Sequence, residues 1–153
     1  HQHDKNAIPL WTYFQNVLNW AISTFNIKKF KIIMKGVDWA LFYDKYHEQP
    51  LDIKAMEDRI SDLIGDDEIQ KPNGIIPYVL TGDERYLDLR TFKDKVKKAI
   101  WEKQNHKCAI CGKEFDFELM EGDHIKPWRE GGRTDIKNCQ MLCRQCNRSK
   151  GSK

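Results

Sequence analysis

At 153 residues, with 40% hydrophobic and 11% aromatic side chains, the chain can bury one ordinary core, or a small domain beside a helical companion, and is too apolar to be disordered. It contains no apolar run of about eighteen residues, which excludes a transmembrane helix, and no secretory signal pattern, so a cytoplasmic location is expected. The net charge of +3 is unevenly spread: from Asp123 onward eight Lys/Arg stand against three Asp/Glu, while the preceding residues carry 18 against 20. A basic C-terminal stretch suits a phosphate-bearing partner, and equally a solvated surface.

The chain opens on His1 rather than Met, which leaves open whether it is a fragment of something longer. Residues 1–5 read as a frayed start, with His1 and His3 a tag remnant or chance surface. A first helix is expected over 8–25: Pro9 suits a first turn, and Trp11, Phe14, Leu18, Ala21, Ile22 and Phe25 recur at steps of three and four. Such a stripe is core sooner than a base-stacking platform. Residues 26–35, with Lys28, Lys29, Lys31 and Lys35, read as a solvated loop or short strand. A second helix, 36–47, turns Val37, Ala40, Leu41, Phe42 and Tyr43 inward and is ended by Pro50. A third, 51–64, places Ile53, Met56, Ile60, Leu63 and Ile64 on one face and stops at Gly65. Asp66-Asp67-Glu68 reads as a charged helix start facing water. Asn73-Gly74 and Thr81-Gly82-Asp83 mark turns on either side of a short apolar helix or strand. Thr91 is expected to cap a fourth helix reaching about Gln104, with Phe92, Val96, Ala99 and Ile100 inward and Lys93, Lys95, Lys97, Lys98 and Lys103 in water. Residues 1–104 thus form an all-helical module without visible chemistry, suited to docking an upstream domain or a second copy.

All five cysteines lie from Cys108 onward, in two Cys-x-x-Cys pairs, Cys108/Cys111 and Cys143/Cys146, plus Cys139. Without a secretory signal, such pairs point to metal and not to disulfides. Four sulfurs close a tetrahedral shell and leave no place for water, so the Zn²⁺ they would hold is structural. Cys139 reads as a small buried hydrophobe. The 31 residues between Cys111 and Cys143 exceed a common zinc-ribbon spacer, and this insertion holds the candidate active site.

Within it, Phe115, Phe117 and Leu119 alternate, predicting a strand or hairpin arm that runs through Gly122-Asp123-His124-Ile125 until Pro127 ends the pairing. Asp123 offers a hard oxygen to Mg²⁺ or a similar ion, and His124 a base of a type that titrates near neutrality. Neighbours on a strand point to opposite faces, so these two share a substrate only at a strand end or irregularity, which Pro127 and Gly131-Gly132 would provide. Asn147 follows Cys146 at the start of a last helix, and Asn138 stands at a loop-to-strand junction where it can bond the backbone after His124. A turn or cap is the ordinary use of either asparagine. Arg144, Arg148, Lys150, Lys126 and Arg129, with the amides of that helix start, are the candidate phosphate ligands.

Asp123-His124-Ile125-x-Pro127, Gly131-Gly132, Asn138 and Leu142-Cys143-x-x-Cys146-Asn147-Arg148-x-Lys150-Gly151 together resemble the HNH endonuclease family in its four-cysteine, zinc-bound form, over about residues 105 to 153. The resemblance implies a ββα-metal domain and hence an α+β chain, with a helical module over 1–104 and the nuclease domain over 105–153. It implies His124 as general base, Asn138 as an orienting residue, and Asp123 and Asn147 as ligands of one catalytic cation. Asn147 stands where many members have His; oxygen ligands favour Mg²⁺ or Mn²⁺. Leu80-x-Gly82-Asp83 and the run into the first Cys pair resemble the C-terminal region of bacterial proteins that join a ParB-like nucleotidase domain to an HNH nuclease, which implies restriction or phage defence. The expected reaction is DNA cleavage, able to sever both strands, by water that His124 deprotonates. The competing expectation, a non-catalytic zinc module that binds DNA or protein, keeps the cysteines and the basic tail but needs neither Asp123 nor His124.

Overall fold

The computed structural model describes residues 7–151, so the His1/His3 pair lies outside the described residues. The chain divides into two compact units, one ending at Leu89 and one beginning at Arg90. It is an α+β protein, and no helix among the described residues is long and apolar enough to cross a membrane.

The first unit is helical: α1 (Ala7–Thr24), α2 (Ile27–Phe30), α3 (Trp39–Tyr46), α4 (Ile53–Leu63) and α5 (Ile75–Thr81). Three of these begin alike. Asn26, Asp38 and Asp52 each accept the backbone N–H three residues ahead, from Lys29, Leu41 and Ala55 at 3.2, 3.1 and 3.0 Å, which satisfies a donor the helix cannot. That cap explains why residues 26–35 hold a one-turn helix where a loop or strand was expected. Its Phe30 and the following Ile33 are buried while Lys28, Lys29 and Lys31 stay in water.

The core of this unit is Phe25, Phe30, Ile60, Ile75, Ile76 and Leu87. The inward faces differ from the periodic reading. α1, which packs on α3, buries Val17, Ala21 and Thr24, and leaves Trp11, Phe14, Leu18 and Ile22 exposed. In α3 the buried residues are Phe42 and Tyr46, with Ala40 and Leu41 outward. In α4, Ile60 and Leu63 are buried while Ile53 and Ile64 are exposed. No helix starts at Asp66-Asp67-Glu68: the Asp66 carboxylate accepts the Glu68 N–H at 3.0 Å in a turn, and Glu68 is only 5% exposed. α5 tolerates Pro77 because it falls in the first turn, where its missing N–H costs no bond.

The second unit holds α6 (Asp94–Lys103), β1 (Met120–His124), β2 (Cys139–Cys143) and α7 (Arg144–Gly151). β1 and β2 pair antiparallel, from Met120 opposite Cys143 to His124 opposite Cys139. α6 packs on β2 around a core of Phe92, Ile100, Met120, Cys139, Met141 and Leu142. The Gln104 side chain accepts from the Met141 N–H at 2.9 Å and donates to the Met141 carbonyl at 3.0 Å, pinning the end of α6 to β2. The division at residues 89/90, in place of 104/105, follows from these contacts: the fourth helix is part of the sheet's core. Thr91 does not cap it, since Lys93 occupies the N-cap with no side-chain bond, and Ala99 is exposed. Residues Phe117–Leu119 form a 3₁₀ turn where a strand arm was expected, so β1 starts only at Met120.

Candidate active site

The four paired cysteines converge. Their sulfurs all lie within 4.8 Å of one another, and Cys111 Sγ is 4.0 Å from Cys143 Sγ. A tetrahedral zinc with Zn–S bonds of about 2.3 Å needs sulfurs about 3.8 Å apart, so this donor set fits Zn²⁺ with small adjustment. Burial works against a thiolate at Cys108, but the N–H groups of Cys111, Cys143 and Ile110 outweigh it and bring the thiol down to about 6. Cys146 is held up to about 12, first by its hydrogen bond with Cys143 and then by desolvation; an arriving ion must displace that proton.

The cluster ties three pieces of chain together. The first pair is a tight turn, closed by Gly112 N–H to Cys108 carbonyl at 2.9 Å and linked to β2 by Ala109 N–H to Met141 carbonyl at 3.1 Å. The second pair spans the junction of β2 and α7, with Cys143 the last residue of the strand and Cys146 inside the helix. Whatever holds these sulfurs fixes how α7 leaves β2. Cys139 lies at the other end of β2, buried, with its thiol pushed up to about 11 by burial and then by the Asp123 charge.

β1 presents two faces. A Cβ on Gly122 would lie 2.8 Å from Lys97 Cγ and 3.7 Å from Phe92 Cβ, and the His124 ring centroid is 4.4 Å from that of Phe92, so this face meets α6 and Phe92, two residues before that helix. Glu121 and Asp123 occupy the other face, beside α7. Glu121 Oε2 accepts from Asn147 Nδ2 at 2.6 Å; Asp123 Oδ2 accepts from Gln140 Nε2 at 2.8 Å and from Lys150 Nζ. Asp123 and His124 therefore leave the strand on opposite sides, and the link between them is Lys150 Nζ, which donates to the His124 carbonyl as well. Asn147 sits on the Asp123 side, but its amide N–H is engaged by Glu121.

His124 Nε2 is 2.8 Å from Thr134 Oγ1, and Thr134 Oγ1 in turn donates to the Arg90 carbonyl at 3.2 Å. A carbonyl only accepts, so the single hydroxyl proton goes to Arg90. The Thr134 oxygen then accepts from Nε2–H of neutral His124, which assigns the basic lone pair to Nδ1. Asn138 closes the loop that carries these groups: its Oδ1 accepts Lys126 N–H at 2.8 Å, and its Nδ2 donates to the Lys126 and Arg133 carbonyls at 3.0 and 2.9 Å. Both loop glycines are needed. Gly131 has φ +86°, and a Cβ on Gly132 would lie 1.8 Å from the Lys126 carbonyl oxygen.

Of the candidate phosphate ligands, Lys126, Arg129 and Arg148 are exposed, and Arg144 donates to the Glu118 carbonyl at 3.0 Å. Lys150 is instead half-buried on Asp123. Sequence reasoning missed Glu121, Gln140 and Thr134. Glu121 was within reach of it, since a residue two before Asp123 on a strand shares its face. Gln140 needed the strand register, and Thr134 the path of the loop. With Glu121, Asp123 and Asn147 the face offers three hard-oxygen side chains, and a cation, the Lys150 ammonium, already lies against one. The donor chemistry suits Mg²⁺ or Mn²⁺.

The family model for HNH endonuclease matches residues 108–153. A curated protein, the CRISPR-associated endonuclease Cas9 of Corynebacterium diphtheriae, is 40% identical over 52 residues, which is 33% of this chain and 5% of that protein's length. No solved structure matches the chain. The zinc-type cysteine cluster, Asp123, His124, Asn138 and Asn147 all fall within the matched residues. Residues 108–153 are a domain of the HNH endonuclease family.

Proposed function

We propose that this domain is a metal-dependent endonuclease that hydrolyses DNA phosphodiester bonds in the cytoplasm, with His124 as the general base. The observation that carries the reading is the chain of contacts from the Arg90 carbonyl through Thr134 to His124 Nε2, which leaves Nδ1 as a positioned base. His124 is the last residue of β1, so a phosphate beyond the strand end is open to its imidazole from one side and to the Asp123 carboxylate from the other. His124 takes the proton of an attacking water at Nδ1, and Asn138 holds the loop that shapes this end of the strand. Asp123 and Asn147 are the residues that would hold the divalent cation, Mg²⁺ or Mn²⁺; when bound, it supplies charge neutralisation at the phosphate and at the departing 3′ oxygen. Arg148, Arg144, Lys126 and Arg129 contribute positive charge along the nucleic acid. The products carry 5′-phosphate and 3′-hydroxyl ends. The resemblance around Leu80-x-Gly82-Asp83 supports a setting in restriction or phage defence.

Incubation of supercoiled plasmid with Mg²⁺ or Mn²⁺, beside an EDTA control, tests this reading. The parent protein cuts only with the ion, and His124→Ala, still zinc-loaded, cuts about 10²–10⁴-fold more slowly. A His124→Ala protein that cuts at the parent rate removes the assignment. A parent that never cuts leaves the cysteines and basic tail as a binding module.

A further inference from the structure

Lys150 is out of place for a phosphate ligand. On α7, next to exposed Arg148 and Ser149, its side chain is only 30% exposed and folds back onto β1. The ammonium touches Asp123 Oδ2 and the His124 carbonyl, two oxygens at the end of the strand. The same Oδ2 accepts from Gln140, and the Asp123 side chain is 21% exposed. The carboxylate assigned to grip a hard cation here, Asp123, is thus already neutralised by a cation of the chain itself, while the neighbouring Glu121 is engaged by Asn147. A divalent ion entering on Asp123 meets a like charge at contact distance, between two half-buried side chains that water screens less than it would at the open surface.

We infer that Lys150 is an exchangeable counter-ion of Asp123: it holds the carboxylate in the free domain, and is handed to a DNA phosphate when a divalent cation takes its place. The inference rests on the nuclease reading for what the cation does, but its own content is a competition. Two consequences follow from charge balance. Without DNA, Lys150 weakens binding of the ion, because the ion must break an ion pair before it gains the carboxylate. With DNA, a phosphate oxygen gives the ammonium a new partner, so each ligand strengthens the other by the same factor. Lys150 lies three residues beyond Asn147, one turn along α7, so both ends of the exchange stay on one helix face. The arrangement makes the domain hold its ion more tightly when substrate is present than when it is absent.

The test measures Mn²⁺ affinity, by titration calorimetry or loss of the free-ion paramagnetic resonance signal, on the full chain with its zinc retained. His124→Ala is the common background, so that added duplex DNA stays intact. Lys150→Met keeps the length of the side chain and removes its charge; Lys150→Gln is the second variant in case the first folds poorly, and zinc content reports folding. Without DNA, both variants bind Mn²⁺ about tenfold tighter than the protein with Lys150, within the usual range of coupling between sites. Adding a short duplex then tightens Mn²⁺ binding in every protein, through the phosphate that the ion meets, and several-fold more in the Lys150 protein than in the variants. Measurable but equal affinities without DNA overturn the inference and leave the nuclease reading standing. No Mn²⁺ binding by any of the proteins at millimolar concentration overturns both.

Discussion

Thr134 decides what His124 can do. Its hydroxyl proton is committed to the Arg90 carbonyl, so its oxygen fixes which imidazole nitrogen is basic. Thr134→Val keeps the shape and removes the acceptor. We expect cleavage to fall about 10–100-fold, the range for partners that orient an imidazole, and the ¹⁵N spectrum of His124 to show a mixture of tautomers; an unchanged spectrum contradicts the assignment. Gly132 is the second sensitive point. With the Lys126 carbonyl 1.8 Å from the Cβ it would carry, Gly132→Ala should destabilise the second unit by about 1–3 kcal/mol, read as a lower unfolding temperature. Cys139 shows the opposite behaviour, inertness. Burial raises its thiol to about 11, so the neutral form is the one the fold prefers. The sign follows: that preference is fully present below pH 9 and is lost only as pH rises through 11. In the zinc-loaded protein, Cys139 should therefore resist alkylation at pH 8 and react only on unfolding. The convergence of the four cysteines was legible in the sequence because paired Cys-x-x-Cys has few other uses at such spacing, and Asp123 and His124 are proposed site residues on the same grounds. Thr134 was not, because nothing local to it signals a contact ten residues back along a loop.

At the scale of elements, periodicity located most helices and misjudged several of their faces. α1 shows why. It carries apolar residues around much of its circumference, and α3 covers only the side of Val17 and Ala21. A repeat at steps of three and four says that a face is apolar, not that a neighbour covers it. Leu18→Ser should accordingly change stability by no more than about 0.5 kcal/mol, whereas Phe25→Ala, at a side chain 1% exposed, should cost about 3–5 kcal/mol. Equal losses in denaturant titrations would contradict the described packing. The caps of α2, α3 and α4 were within reach of sequence, since Asn and Asp are strong N-caps. The allegiance of α6 was not. Its amphipathic pattern fits any apolar partner, and only the bonds from Gln104 to Met141 and the burial of Ile100 assign it to the β1–β2 unit.

At the scale of the molecule, we propose that the second unit depends on a metal at its four sulfurs more than on its core. Among the described residues its buried hydrophobic core is only Phe92, Ile100, Met120, Met141 and Leu142 with three cysteines, and small domains of this kind usually need a staple. Zinc on the four-sulfur cluster would be that staple, and it would also fix the exit of α7, on which Asn147 meets Glu121 and Lys150 meets Asp123. We propose two metals of different kinds: a sulfur-bound ion would build the surface on which an oxygen-bound ion and His124 act together. Cys111→Ser separates them, because Cys111 is exposed, lies on the first turn and touches none of the residues assigned to hydrolysis. The decisive measurement is the zinc content of Cys111→Ser against its rate of plasmid cleavage in Mg²⁺ or Mn²⁺. We predict that zinc and cleavage are lost together, with Asp123, His124 and Asn147 all still present; a zinc-free protein that cuts as fast as the parent would contradict the account.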